Sequence, residues 1–273
     1  MVGSLVIIYP TPHEGGELVL RHKNREWKFD AKSLASSRSS PSLVYVAFYS
    51  DIEHEVLKVT SGRRVTITYN LYLVDPAPKL GALAVTPNLT SACNLQTTLQ
   101  GLLKSPEFLP NGGTLGFGLA HLYPVTSETE LQEMAGYLKG EDAHVYRACQ
   151  DLRLNPLLQM IYEDDESGDE YGIMTDQIIH GLSYDFHDTC YEGVLVTEEG
   201  GISVNKIEGV VPDDSRWVSE GFGGGETITW VSPFSERNQL HDISMAYGNE
   251  YSADYIYCSP CIIVRIAAAS DRV

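Results

Sequence analysis

The chain of 273 residues sets 19 Lys plus Arg against 37 Asp plus Glu, a formal net charge of −18, with 43% hydrophobic and 10% aromatic content. That much apolar material supplies a buried core and excludes a wholly disordered chain. The acidic balance opposes association with phosphate backbones, so no nucleic-acid partner is expected. The charge is unevenly placed: the first 73 residues hold nine basic and seven acidic side chains, the remainder ten and thirty.

Five cysteines, an odd number spread over a long chain with no leader resembling a cleavable signal, read as reduced thiols of an intracellular protein, cytoplasmic or nuclear. Cys258 and Cys261 have CxxC spacing inside an apolar run without a second pair, which favours packing over redox or metal chemistry. The apolar opening at residues 2–9 is too short for a membrane span.

Taken in chain order, VGSLVIIYP is rich in branched residues and stops at Pro10 and Pro12, which predicts a strand and a turn. Gly15 and Gly16 introduce ELVLRH, whose antiparallel partner across a polar turn is EWKFD. Residues 31–40, Ser-rich and polar, read as a surface loop. The strands SLVYVAFYS, HEVLKV and RRVTITYNLYLV follow, the last two separated by the turn Thr60-Ser61-Gly62. Five or six strands and no helix make the first 73 residues a β-sandwich or barrel fragment.

Pro76 and Pro78 close that block, and residues 74–90 read as a connector to an acidic mixed α/β region over 91–273. Leu95, Leu99, Leu102 and Leu103 recur at helical spacing within 91–104. GGTLGFGLAHLYP lacks the spacing and lysine of a phosphate loop, and its His121 reads as structural. Short helices are expected over 128–138 and 143–152, and EDDESGDE at 163–170 is a solvated acidic loop rather than a cation site. Residues 193–211 and 226–231 read as strands around the loop PDDSRWVSEGFGGGE, and YIYCSPCIIVRI as the last strand. Trp217 and Trp230 are core or turn anchors, and His187, Asp188 and Cys190 have no third partner for hydrolase chemistry. The acidic region would also suit a basic partner, although its charge equally serves solubility.

The stretch richest in chemistry is FYSDIEHEVLKVTSGRRVTITYN, residues 48–70. Strand alternation puts His54 with Val56 on one face, and Arg64, Thr66, Thr68 and Asn70 on one face of the next strand, opposite Val65, Ile67, Tyr69 and Leu71. A half-exposed strand produces that alternation; so does a polar cavity inside a barrel, where Arg64 would clamp a carboxylate through two parallel hydrogen bonds.

This stretch resembles the Fe(II)- and 2-oxoglutarate-dependent dioxygenase superfamily, in the prolyl-4-hydroxylase-like branch common among fungal proteins. The resemblance rests on His54 followed ten residues later by Arg64 within HEVxxVxSGxR, and extends through TPHEGGELVLRH, VAFYSDIEHEV, TLGFGLAHLYP, LKGEDAHVY and MAYGNEYSADYIY. It implies a mixed α+β chain whose residues 1–73 form an incomplete double-stranded β-helix of the jelly-roll or cupin kind. It further implies Fe(II) held by two His and one Asp/Glu, with His54 the distal ligand and 2-oxoglutarate as co-substrate. In that scheme Arg64 pairs with the far carboxylate and Thr66 adds a hydrogen bond, while iron chemistry hydroxylates an unidentified protein or small-molecule substrate.

The family's HxD is absent: none of the eight histidines is followed two positions later by Asp or Glu. One imidazole does not make a three-ligand site, so no catalytic residue is assigned. Asp51, three residues before His54, is a surrogate carboxylate only against strand alternation, and His13 and His22 are as readily surface histidines as ligands. Two expectations follow. Either the chain is a shortened form of a dioxygenase whose longer form supplies the ligands, or it is a pseudoenzyme retained for binding a ligand or a protein.

Overall fold

The computed structural model describes residues 1–22, 25–36, 42–72, 89–123, 129–164, 168–179, 191–206, 225–234, 240–246 and 252–272. It is mixed α+β and rich in sheet, and the chain divides into two compact units, Met1–Val85 and Thr86–Val273.

The first unit contains eight strands among its described residues: β1 (Gly3–Ile8), β2 (His13–Gly15), β3 (Leu18–His22), β4 (Arg25–Phe29), β5 (Val44–Tyr49), β6 (Glu53–Val56), β7 (Val59–Gly62) and β8 (Thr66–Leu71). One antiparallel sheet has the order β5-β1-β8 and a second the order β4-β3-β6, while β2 and β7 pair separately. The expected hairpin is β3–β4, with Leu18 opposite Phe29 and Leu20 opposite Trp27. The chain thus alternates between two sheets, β1 in one, β3 and β4 in the other, β5 back in the first, β6 in the second and β8 in the first.

The sheets face each other through an apolar cluster of Leu18 and Leu20 from β3 and Val46 from β5, with Phe29, Phe48 and Ile52 packed against it. Val6 and Ile8 of β1 are buried beside it against Ala31. Each fully buried side chain of this kind contributes about 1.5–3 kcal/mol. Ala31 belongs to a short helix, α1 (Ala31–Ser36), in the segment expected to be loop. Asp30 is its cap: the carboxylate accepts from the Lys32 amide at 3.0 Å and from the Ser33 hydroxyl, which holds the carboxyl below its ordinary value. Serines at 33, 35 and 36 suggested polarity, but the cap and the burial of Ala31 decide the outcome.

The second unit carries α2 (Leu89–Lys104), β9 (Gly113–Gly118), a 3-10 helix (Leu131–Tyr137), α3 (Gly140–Asp151), β10 (Leu157–Asp164), β11 (Gly168–Thr175), α4 (Tyr191–Thr197), β12 (Ile202–Asn205), β13 (Ile228–Ser232), β14 (Leu240–Ala246) and β15 (Ser252–Ile266). Residues 193–197 are therefore helix where strand was expected, and beyond them β12 is strand as expected, with residues 207–211 outside the described residues. The Val194-Leu195-Val196 run looks β-branched in sequence, yet all three side chains are buried in the cluster beneath the helices. Tertiary burial overrides local propensity there.

The sheet order is β12-β11-β10-β15-β9-β13, with β14 on the first half of β15. It curls until its outer strands meet. Val204 bridges Glu226, the Asn205 amide donates to the Ile228 carbonyl at 2.9 Å and accepts from the Ile228 N–H at 2.6 Å, and the Trp230 indole donates to the Asn205 carbonyl at 2.8 Å. The enclosed side is filled by Ile161, Met174, Val204, Ile228, Cys261 and Ile263, to which both outer strands contribute. Trp230 thus serves as the expected anchor.

A buried carboxylate ties the chain after β9 to α3. Asp142 accepts from the Ala120 amide at 2.9 Å, the His121 amide at 3.1 Å and the Tyr123 hydroxyl at 2.8 Å. Burial raises its carboxyl above the ordinary range against those donors.

Asn205→Ala is expected to destabilise the protein by about 3 kcal/mol, because it deprives two buried backbone groups of their partner. Denaturant unfolding followed by Trp fluorescence measures it.

Candidate carboxylate site in the first unit

Residues opposite one another in an antiparallel pair share a face. His54 on β6 lies opposite Leu20, so it projects to the face that Leu20 buries between the two sheets. Its ring meets Phe48 of the facing sheet with centroids 5.0 Å apart, and its Nδ1 lies 3.2 Å from the Ile52 carbonyl. With Nδ1–H donating to that carbonyl, Nε2 is left as the nitrogen able to accept a proton or a metal. The imidazole is solvent-exposed because β6 is the outer strand of its sheet.

Thr66 and Thr68 on β8 lie opposite Ile8 and Val6, the buried residues of β1. The polar side of β8 is therefore the one turned towards the facing sheet, and Thr66 is half-buried. The apolar side is turned outwards: Val65, Ile67 and Tyr69 are 45%, 39% and 51% exposed, and Tyr45 on β5 is 71% exposed. The interior of the unit is thus apolar beneath β3 and β5, while the outer strand β6 is exposed throughout and the polar side of β8 is half-buried at Thr66 and exposed at Thr68 and Asn70.

Arg64 precedes β8 in an irregular segment pinned by backbone bonds from Arg63 N to Pro12 O at 3.1 Å and from Tyr9 N to Val65 O at 3.0 Å. Its side chain crosses over Gly16, near Val59. Nε and Nη2 are both buried and have no hydrogen-bond partner among the described residues. Burial accordingly pulls the guanidinium below its ordinary pKa, although arginine stays protonated. A buried cationic fork without an acceptor is costly unless an anion completes it.

The predicted residues His54 and Thr66 therefore lie on the facing sides of two different sheets, whereas the Arg64 side chain lies by Gly16 and Val59. Among the described residues no hydrogen bond or ion pair joins His54 to Arg64. No group of three ligating side chains among the described residues includes His54. Asp51 occupies the turn between β5 and β6, where strand alternation does not apply, and its carboxylate lies within 4.8 Å of the His22 imidazole. The sequence offered no signal for that pairing, since 29 positions separate the two residues. His13 is buried, with Nδ1 2.7 Å from the Thr11 carbonyl, and packs as part of β2.

Gly16 was visible only as a turn glycine, and its closeness to Arg64 comes from the pairing of β2 with β7. Gly62, inside HEVxxVxSGxR, has φ +74, and a Cβ there would lie 2.2 Å from the Pro12 carbonyl oxygen. The glycine of that pattern is thus required by backbone approach as well as by conformation.

In the second unit, Cys258 and Cys261 stand three apart on β15, and their side chains enter the two different clusters on opposite sides of the sheet. Neither a disulfide nor shared metal binding fits that placement. Burial raises the Cys149 thiol to about 11 and pushes Cys261 up as well, so neither is a ready nucleophile. His121 is buried, with its ring against Gly140. Of the acidic run expected as a loop, residues 163–164 end β10 and 168–170 open β11, so they are strand; residues 165–167 and the side chains of the run lie outside the described residues, as do His187, Asp188, Cys190 and Trp217.

No described helix is long and apolar enough to cross a membrane. No family model, curated protein or solved structure matches the chain.

Gly62→Ala is expected to lower stability by more than about 1 kcal/mol, since an L side chain at positive φ is strained even before the contact with Pro12. Thermal unfolding of the purified variant measures it, and an unchanged midpoint would contradict the assigned β2–β7 pairing.

Proposed function

We propose that the first unit binds 2-oxoglutarate, as the carboxylate-holding part of an Fe(II)- and 2-oxoglutarate-dependent oxygenase fold. The observation that carries this reading is the Arg64 guanidinium just before the strand β8, with two buried nitrogens lacking an acceptor among the described residues. A carboxylate completes such a fork through two charge-assisted bonds, and the half-buried Thr66 hydroxyl supplies a further donor on the same strand. The alternation of the chain between two facing sheets supports the jelly-roll reading of this unit.

Iron is a separate matter. His54 offers Nε2 with its other nitrogen held by a backbone carbonyl, as metal-bound imidazoles are, but a facial triad needs two more ligands. The described residues do not supply them around His54, so no oxidation step through His54 is derived for this chain. Hydroxylation of a protein or small-molecule substrate would require further ligands. The reading proposed for the unit is therefore binding of the carboxylate, the ligand-binding alternative of the sequence reading.

Isothermal titration with 2-oxoglutarate tests this. Arg64→Ala is expected to weaken binding at least about tenfold, and Thr66→Val about threefold to tenfold, in keeping with the loss of a charged pair and of one hydrogen bond. The same protein given Fe(II), oxygen and ascorbate is expected to form no succinate. Unchanged affinity in Arg64→Ala would reject the carboxylate site, and iron-dependent succinate formation would replace the binding module by an active oxygenase.

A further inference from the structure

We infer that Gly16 is the positioning residue for Arg64, leaving open the space that the arm of the guanidinium occupies beside Val59; this rests on the carboxylate-binding reading above. A Cβ at position 16 would lie 2.8 Å from Arg64 Cδ, 2.8 Å from Val59 Cγ2 and 3.6 Å from Arg64 Nε. All three atoms belong to side chains. The neighbouring Gly15 differs in kind, because a Cβ there would strike the Lys58 backbone carbonyl oxygen at 2.3 Å.

The distinction has a physical consequence. Backbone cannot yield without unpairing β2 from β7, so a side chain at 15 damages the fold. The arm of an arginine can yield by changing rotamer, so a side chain at 16 displaces the arm. Cδ lies immediately before the fork and Nε is one of its donors, so a small rotation there swings the terminal nitrogens furthest. Two bonds to one carboxylate demand a fixed plane for the fork, so displacement of the arm costs affinity even while the charge stays nearby. Gly16 also has φ +75, which an L residue tolerates poorly and Asn tolerates best.

The test uses the full chain, 2-oxoglutarate as probe, and the variants Gly16→Ala, Gly16→Asn, Arg64→Ala and Gly16→Ala with Arg64→Ala. Affinity comes from titration calorimetry and the unfolding midpoint from circular dichroism. Gly16→Ala and Gly16→Asn are expected to bind at least tenfold more weakly than the parent. In the Arg64→Ala background the Gly16→Ala change is expected to have no further effect on residual affinity. There its effect on the unfolding midpoint should also shrink, because the arm it strikes is gone.

Gly16→Asn keeps the comparison available if Gly16→Ala fails to fold through backbone strain. Wild-type affinity in a folded Gly16 variant, with Arg64→Ala still defective, would overturn the positioning role and leave the carboxylate site standing. Equal midpoint losses in both backgrounds would make Gly16 structural only, again overturning the role. No binding by the parent protein, or an unaffected Arg64→Ala, would overturn the carboxylate site and this inference with it.

Discussion

The packing of Leu18 and Leu20 on Val46 holds the two sheets of the first unit face to face, and every functional statement about that unit depends on it. Once those side chains fix which faces are internal, strand register carries the orientation outwards: Leu20 sets His54 beside it on β6, and Val6 and Ile8 set Thr68 and Thr66 on β8. Burying Leu20 costs the chain nothing in polar satisfaction. Turning Thr66 inwards does, unless water or a ligand meets its hydroxyl, and the same holds more strongly for Arg64. The apolar packing therefore turns the polar side of β8 towards the facing sheet as a by-product of pleating.

The second unit uses hydrogen bonds for a comparable task. A curled sheet is left with two outer strands whose backbone groups need partners. Asn205 answers this with one side chain that both donates to and accepts from Ile228, while its own carbonyl receives Trp230. Asp142 does the same for the chain leaving β9, gathering two backbone amides and a phenol on a carboxylate that burial alone would disfavour. Glu226 is a more exposed variant: burial works to raise its carboxyl, but bonds from Arg265 and Thr114 outweigh that and hold it below its ordinary value. None of these groups is free for chemistry. They account for buried polar residues in a unit whose acidity first suggests binding.

Much of the strand content was legible because alternation and β-branching are local signals. The hairpin β3–β4, the strand β1 and the long strand β15 were read from a few consecutive residues each. The helix α1 was hidden because its signal is one Asp cap in a serine-rich stretch, and α4 because Val194, Leu195 and Val196 favour strand until burial decides otherwise. At the site, the spacing of His54 and Arg64 was legible as a pattern, and so was the polar side of β8. The pairing of His22 with Asp51 and the passage of Arg64 over Gly16 were not, since neither residue pair is linked by any periodicity.

The sequence by itself determined the composition of two unlike parts, the faces of individual strands and the presence of a turn-type glycine inside HEVxxVxSGxR. These follow from properties of a residue and its immediate neighbours: charge, branching, side-chain period and freedom at positive φ. Tertiary structure alone decided which strands share a sheet, which face of β8 is internal, and that Cys258 and Cys261 part to opposite sides of β15. It also decided that two nitrogens of Arg64 are buried without an acceptor among the described residues. Pairing and burial join residues far apart in the chain, and a period of two states only that a strand has two faces, never which of them the rest of the protein will cover.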